Sequence, residues 1–302
     1  MFKNLMMYRL ASPWPSSVEQ VEAAFEDARF TECGPSQEKS VGWIGPRGHA
    51  HGPLVEVVGG QWLLKLMLEV KVVPGSVVKR KVQDQLDHIE ATTGRKPGKK
   101  EKREISDDAR LALLPMAFTK QSSVKVWVDP KAGFLLTDAG SQAKADEVMT
   151  WLIKAIDGLA VTLVNTQTSP AASMALWLST QEAPPGFSVD RECELKAADE
   201  SKAVVRYTRH ALDTDEVSQH IAMGKVPTRL AMTWNERVSF VLTEGLQLKK
   251  LAFLETVFEE AAASPGDVKE DNFDADLAIA TGELAKLIPE LLEALGGEVA
   301  LT

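Results

Sequence analysis

The chain of 302 residues carries 34 Lys and Arg against 43 Asp and Glu, a net charge of −9. Apolar residues make up 44% and charged ones 25%, an ordinary globular balance that excludes a disordered or fibrous chain and allows one large or two modest domains. No apolar run reaches the roughly 18 to 20 residues of a bilayer span; the longest, around Trp62–Val73, is broken by Lys65, Glu69 and Lys71.

Leu5–Leu10 reads as a short strand, and Ser16 or Ser17 offers an N-cap to an amphipathic helix with Val18, Val21, Ala24, Phe25 and Ala28 on one side. Gly42–Ile44 and Leu54–Val58 follow as strands, and Gly59-Gly60 predicts a hairpin turn into Gln61–Val73. At Pro74-Gly75-Ser76 the period changes. Val78, Val82, Leu86 and Ile89 recur at three- and four-residue spacing, which predicts a helix; after the loop Thr92–Gly98 a second helix runs from about Lys99 to Leu114. The pair has little core of its own and reads as an arm that packs on a partner.

Strands at Val124–Val128 and Phe134–Thr137 flank the turn Asp129-Pro-Lys-Ala-Gly133, and helices follow at about Ser141–Ile156 and Thr166–Gln181. Beyond Pro184-Pro185-Gly186, strands are expected at Ala203–Tyr207, Thr228–Trp234 and Arg237–Thr243, with a helix at Asp213–Met223. The chain closes with helices near Lys250–Ala263 and Asp274–Leu295, the latter ended by Gly296-Gly297. The fold class is therefore α+β, mixed sheets packed with helices plus a protruding two-helix arm. Its divisions are an α/β base over 1–74, a basic helical arm over 75–122, and an α/β part with acidic C-terminal helices over 123–302.

Charge is segregated along the chain. Lys65 to Lys125 holds fourteen basic against eight acidic side chains, whereas Phe240 to the end holds four against thirteen. Within Arg95–Arg103 six cations face one anion. Such segregation suggests an anion-facing surface on an acidic body, although a solvated face explains a charge run equally well. The cations concerned include Lys79 and Lys81 on the first arm helix and Lys99, Lys100, Lys102 and Arg103 on the second. Phe118, followed by Lys120, either stacks on bases or caps the core beneath the helix, and the sequence leaves both open.

No catalytic constellation emerges. Gly94-Arg-Lys-Pro-Gly98-Lys99-Lys100 approaches a P-loop, but the glycines stand one position too close and Lys100 occupies the Ser/Thr place. His49 and His51 lack further ligands for a structural zinc. Asp271, Asp274 and Asp276, with Glu270 and Glu283, suggest a divalent-metal nuclease as an alternative, though Asp274 suits a helix N-cap better. A protein-interaction scaffold is the other alternative. No metal or cofactor is expected. Trp43, Trp62, Trp127 and Trp151 read as core residues. Cys33 and Cys193 fit unpaired thiols in a reducing cytoplasm, and the N-terminus has no signal-peptide pattern.

Several motifs resemble those of one family, in the same order and over almost the full length: Phe2-Lys-Asn-Leu-Met6 with Tyr8-Arg-Leu10, Leu113-Leu-Pro-Met-Ala-Phe118, Gly224-Lys-Val-Pro-Thr-Arg-Leu230, Phe273-Asp-Ala-Asp276, Thr281-Gly-Glu-Leu284 and Glu293-Ala-Leu-Gly-Gly297. The chain is thereby similar to the recombination-associated RdgC family. The resemblance implies a ring-shaped homodimer that surrounds double-stranded DNA, also binds single-stranded DNA, and restrains RecA-promoted strand exchange. It implies a cytoplasmic, nucleoid-associated protein without membrane contact. Phe118 would be an aromatic finger directed at DNA, and Arg206, Arg209, Lys225 and Arg229 would line the hole. Met116 stands where the family pattern suggests a basic residue, which shifts finger chemistry toward Lys120.

Overall fold

The computed structural model describes residues 1–15, 17–49, 51–257 and 272–299. In chain order the elements are β1 (Met6–Leu10), α1 (Val18–Glu26), β2 (Lys39–Trp43), β3 (Val55–Val58), β4 (Gln61–Val72), α2 (Gly75–Thr93) and α3 (Lys99–Leu113). A 3-10 turn, Leu114–Met116, leads into β5 (Phe118–Asp129), β6 (Phe134–Thr137), α4 (Gln142–Ala155), β7 (Val161–Leu163) and α5 (Pro170–Thr180). Then come β8 (Phe187–Ala197), β9 (Val204–Thr208), α6 (Asp215–Ala222), β10 (Lys225–Trp234), β11 (Val238–Thr243), β12 (Leu248–Phe253) and α7 (Asn272–Ala294). The protein is thus mixed α+β with two antiparallel sheets.

The chain forms two compact units. One comprises Met1–Val21, Val55–Leu64 and Val124–Thr302; the other comprises Glu22–Leu54 and Lys65–Ser123. In the first, β1 lies between β6 and β7, and β6 also pairs with the end of β5. The second sheet, ordered β12-β11-β10-β8-β9, belongs wholly to this unit. One face of this sheet buries Cys193, Leu195, Leu230, Met232, Phe240 and Leu242. The period-two pattern leaves Glu192 and Glu194 of β8 on the other face. Helix α7 covers the core with Leu277, Leu284, Leu287, Ile288 and Leu291, a stripe at helical spacing. Gly296 and Gly297 end it in left-handed conformation, with the Gly297 N–H bonded to the Leu292 carbonyl at 2.8 Å.

In the second unit, β2 pairs with the later part of β4, and Phe25 stacks on Trp43 at 4.4 Å between ring centroids. Gly42 is required there because a Cβ would fall on the Phe30 backbone. Helices α2 and α3 pack together, yet α2 has no fully buried residue and α3 has only Ala109. The Arg95–Glu101 ion pair, at 2.7 Å, ties their connecting loop to α3.

Most expected elements form. The exception near Lys250 has a clear cause: Leu248–Phe253 is strand β12, because Val238 and Leu242 of β11 pair with Phe253 and Leu248. The apolar and basic residues there suited either period, and sheet pairing decided it. Residues 258–263 of that expected helix lie outside the described residues. Strands β7 and β8 were not foreseen. Asp274 sits inside the first turn of α7 rather than at its cap, still favourably toward the helix dipole. Trp43, Trp62 and Trp127 are buried, whereas Trp151 is half-exposed. Among the described residues no helix is long and apolar enough to cross a membrane.

Glu283 of α7 is buried and receives Arg237 Nε at 2.5 Å and a terminal guanidinium nitrogen at 3.0 Å. These bonds hold its carboxyl below the ordinary range against the opposing effect of burial. The stability it contributes is therefore present above the unfolded-state value and is lost as pH falls through the folded one. Glu283→Gln is expected to cost about 3 kcal/mol at neutral pH. Thermal midpoints recorded from neutral to acid should show that difference shrinking below about pH 4.3.

Candidate nucleic-acid interface

The second unit carries the first group of candidate residues. Leu114 is fully buried, and Pro115 supplies the fixed φ that starts the 3-10 turn. The Ala117 N–H closes that turn on the Leu114 carbonyl at 3.1 Å. At the next residue β5 begins with Phe118, which is 87% exposed. Met116, at 73%, is nearly as open, and Lys120 is exposed. Phe118 is therefore not a core cap, and it opens a strand rather than ending a helix. The apolar residue that plugs the core is Leu114.

The mounting below Phe118 is polar and was not foreseen. Lys71 of β4 is buried, and its Nζ donates to the carbonyls of Leu114 at 3.1 Å and Pro35 at 2.8 Å. Glu69, only 1% exposed, accepts from Gln121 Nε2 at 2.6 Å and from the Cys33 N–H at 2.7 Å. Those two bonds, helped by Lys71, hold the Glu69 carboxyl below its usual range despite burial. Burial and the neighbouring Glu69 push the Cys33 thiol up. On this half of β4 the ordinary alternation is inverted: Glu69 and Lys71 point in, while Val70 and Val72 are exposed. The spacing of two between the charges was the available signal, since it puts both on one strand face.

On the arm, Lys79 is exposed and Lys81 half-exposed on α2; Lys99, Lys100, Lys102 and Arg103 are exposed on α3. Lys99, Lys102 and Arg103 share one side of the helix at three- and four-residue spacing. Lys100 faces elsewhere and lies 3.9 Å from Glu104. Lys99 and Lys100 oppose the helix dipole in the first turn, and the Gly98 cap supplies no side-chain bond. Cations so placed cost about 0.3–1 kcal/mol each. Glu101 in the same turn offsets part of that cost.

The first unit holds the second group. Its exposed sheet face brings Arg206 of β9 and Arg229 of β10 to the same carboxylate, Glu194 of β8, at 2.5 Å and 4.0 Å. Thr228 Oγ1 donates to Glu194 at 2.7 Å, and these contacts hold the carboxyl below its ordinary range, with Thr228 contributing most. Lys225 Nζ lies 2.9 Å from His220 Nδ1. Arg209 is exposed at a left-handed backbone position, φ 55°, just after β9. A cleft of about 540 Å³ in this unit is lined by Trp177, Phe187, Asp190, Arg191 and Asp213, none of them singled out from the sequence.

Of the residues proposed for metal chemistry, Asp274 and Asp276 lie near the start of α7. Glu283 is engaged by Arg237, Asp271 and Glu270 lie outside the described residues, and His49 and His51 are exposed. Among the described residues no three His, Cys, Asp or Glu side chains are grouped to hold a metal ion. Gly94–Lys100 joins two helices rather than following a strand, unlike a P-loop.

These features define an α+β protein with two antiparallel sheets, an exposed aromatic at a strand start and cations displayed on helices and on an open sheet face. The family model described as "Putative exonuclease, RdgC" matches residues 1–298. The chain belongs to this RdgC family, which is recombination-associated. It is 44% identical over 301 residues, 99% of this chain and 98% of the relative, to the recombination-associated protein RdgC of Dechloromonas aromatica (strain RCB). It is also 44% identical to the proteins of that name from Cupriavidus pinatubonensis, over 297 residues, and Bordetella pertussis, over 300 residues, each at 98% of both chains.

The Lys71 mounting is testable without any ligand. Lys71→Met should cost about 1–3 kcal/mol by leaving the Leu114 and Pro35 carbonyls without their buried donor. It should also speed hydrogen exchange at the Ala117 amide, which shares the Leu114 carbonyl with Lys71. Lys120→Met, altering an exposed side chain on the same strand as Gln121, should leave both the thermal midpoint and that exchange rate unchanged.

Proposed function

We propose that this protein is a non-catalytic DNA-binding protein with little sequence preference, which encircles duplex DNA as a homodimer and restrains RecA-promoted strand exchange by occupying the DNA. The observation that carries the reading is Phe118, a large aromatic side chain left in solvent directly beyond a buried leucine. Folding gains nothing from that exposure, whereas a ring so presented stacks on or wedges between bases, and stacking tolerates any sequence.

Lys120 beside the ring, with Lys79, Lys81, Lys99, Lys100, Lys102 and Arg103 on the arm, supplies phosphate-neutralising charge. Arg206, Arg209, Lys225 and Arg229 supply more from the other unit. Cations lining an enclosed channel need not outnumber anions on the outer surface, because low-dielectric walls focus the field; a net charge of −9 is compatible with such a ring. The half-buried row Val78, Val82, Leu86 and Ile89 and the exposed Leu111 favour the arm, residues 75–122, as one contact between protomers. The reading extends to single-stranded DNA and to a cytoplasmic, nucleoid-associated location. The names of the relatives tie those proteins to recombination.

Fluorescence anisotropy with labelled duplexes of different sequence tests the proposal. Affinity should fall steeply with salt, log Kd changing by about 0.9 per neutralised phosphate per decade, and differ little between sequences. Phe118→Ala should weaken binding about five- to 150-fold, the range for losing one stacked base, with an unchanged thermal midpoint. A flat salt response would overturn DNA binding. Degradation of linear DNA in magnesium or manganese, abolished by Asp274→Asn or Asp276→Asn, would overturn the non-catalytic assignment.

A further inference from the structure

The surroundings of Glu194 carry an inference that rests on the DNA-binding reading and refines it. Strand β10 reaches β8 through an irregular register: Pro227 pairs with Leu195 and Arg229 with Glu194, so Thr228 is the extra residue of a bulge. Proline lacks the N–H that a regular ladder would use, and a bulge re-aims the side chains beside it. Thr228 and Arg229 consequently converge on one carboxylate. From the opposite side Glu194 pairs with Arg206 of β9, giving the cross-strand row Arg229–Glu194–Arg206.

The three charged groups differ in exposure. The side chains of Arg206 and Arg229 are 70% and 51% exposed, and that of Glu194 is 13% exposed. The carboxylate is fixed from below by the buried Thr228 hydroxyl, while the guanidinium groups stand in solvent above it. Ion pairs to exposed arginines are weak and readily exchanged. A guanidinium has five N–H donors and suits phosphate as well as carboxylate.

We propose that Glu194 is a built-in competitor for a DNA backbone phosphate at a subsite formed by Arg206 and Arg229. Its carboxylate occupies the arginines in the free protein and halves the local positive charge that DNA meets. Phosphate contact requires the arginines to turn outward from Glu194, so affinity at this subsite is lower than two unpaired arginines would give. Such restraint suits a protein that must bind long DNA without becoming immobile on it, since phosphate contacts set strength without setting sequence.

Anisotropy titrations of a labelled duplex, from low to physiological salt, test this with Glu194→Gln, Arg206→Gln/Arg229→Gln, the triple variant and Phe118→Ala. Glutamine keeps an oxygen for Thr228 and removes the charge. Glu194→Gln should bind about fivefold tighter at low salt, the effect of removing one unit charge at contact distance in a water-like medium. Its salt slope should steepen by about 0.9. The triple variant should bind no tighter than the double arginine variant. Equal or weaker binding by folded Glu194→Gln, or a gain that survives loss of both arginines, would overturn the proposal. If Glu194→Gln loses its fold, Glu194→Ser is read by the same criteria. Should Phe118→Ala weaken binding while Glu194→Gln gains nothing, the competitor fails and the DNA-binding reading stands. Should wild-type protein show no salt-dependent binding at all, that reading itself fails.

Discussion

A buried ammonium group anchors the turn that leads into the exposed aromatic. Removing a lysine from water is costly unless its protons are satisfied and its charge is met. Lys71 meets these conditions by donating to the carbonyls of Leu114 and Pro35 and by sharing its strand face with Glu69. The carbonyl of Leu114 is thus fixed by two donors, Lys71 and the Ala117 amide. Glu69 in turn fixes Gln121 and the Cys33 amide. The chain on both sides of Phe118 is thereby held from within the unit. An apolar core at this place would pack as well, but it would give the turn no directional bonds. Hydrogen bonds to a buried charge set orientation as well as energy.

The same logic, with the burial reversed, applies to the open face of the second sheet. There the carboxylate is mostly buried and the cations are exposed, so the pairs are held loosely. Pro227 breaks the ladder, the bulge at Thr228 turns two neighbouring side chains toward Glu194, and Arg206 arrives from the adjacent strand. One device anchors the turn that leads into an exposed aromatic. The other leaves two arginines free to change partner.

The acidic net charge and the anion-facing reading are reconciled by position rather than by number. Many anions are committed to partners inside the protein: Glu69 to Gln121, Glu194 to Thr228 and the arginines, Glu283 to Arg237. Several cations instead stand on exposed helix and strand surfaces, including Lys99 and Lys100 at a helix start where the dipole disfavours them. The first turn of α6 carries two acidic residues, Asp215 and Glu216, whereas that of α3 sets Glu101 alone beside its two lysines.

Much of this was legible in the chain itself. Strands such as Phe134–Thr137 and helices such as α2, α3 and α7 followed from hydrophobic period and from glycine stops, because those signals depend only on near neighbours. The charge segregation and the family motifs were likewise visible, and they marked Phe118, Arg206 and Arg229. Other features required partners distant in sequence. Leu248–Phe253 became a strand because β11 offered a pairing edge, and Phe118 was resolved as exposed because Leu114 took the core position. Glu69 and Lys71 looked like interruptions of an apolar run until Leu114, Pro35 and Gln121 surrounded them. The convergence of Arg206 and Arg229 on Glu194 needed three strands laid side by side in one register. Local pattern determines which element a segment favours; the satisfaction of buried charge and the meeting of side chains across strands are properties of the closed tertiary structure alone.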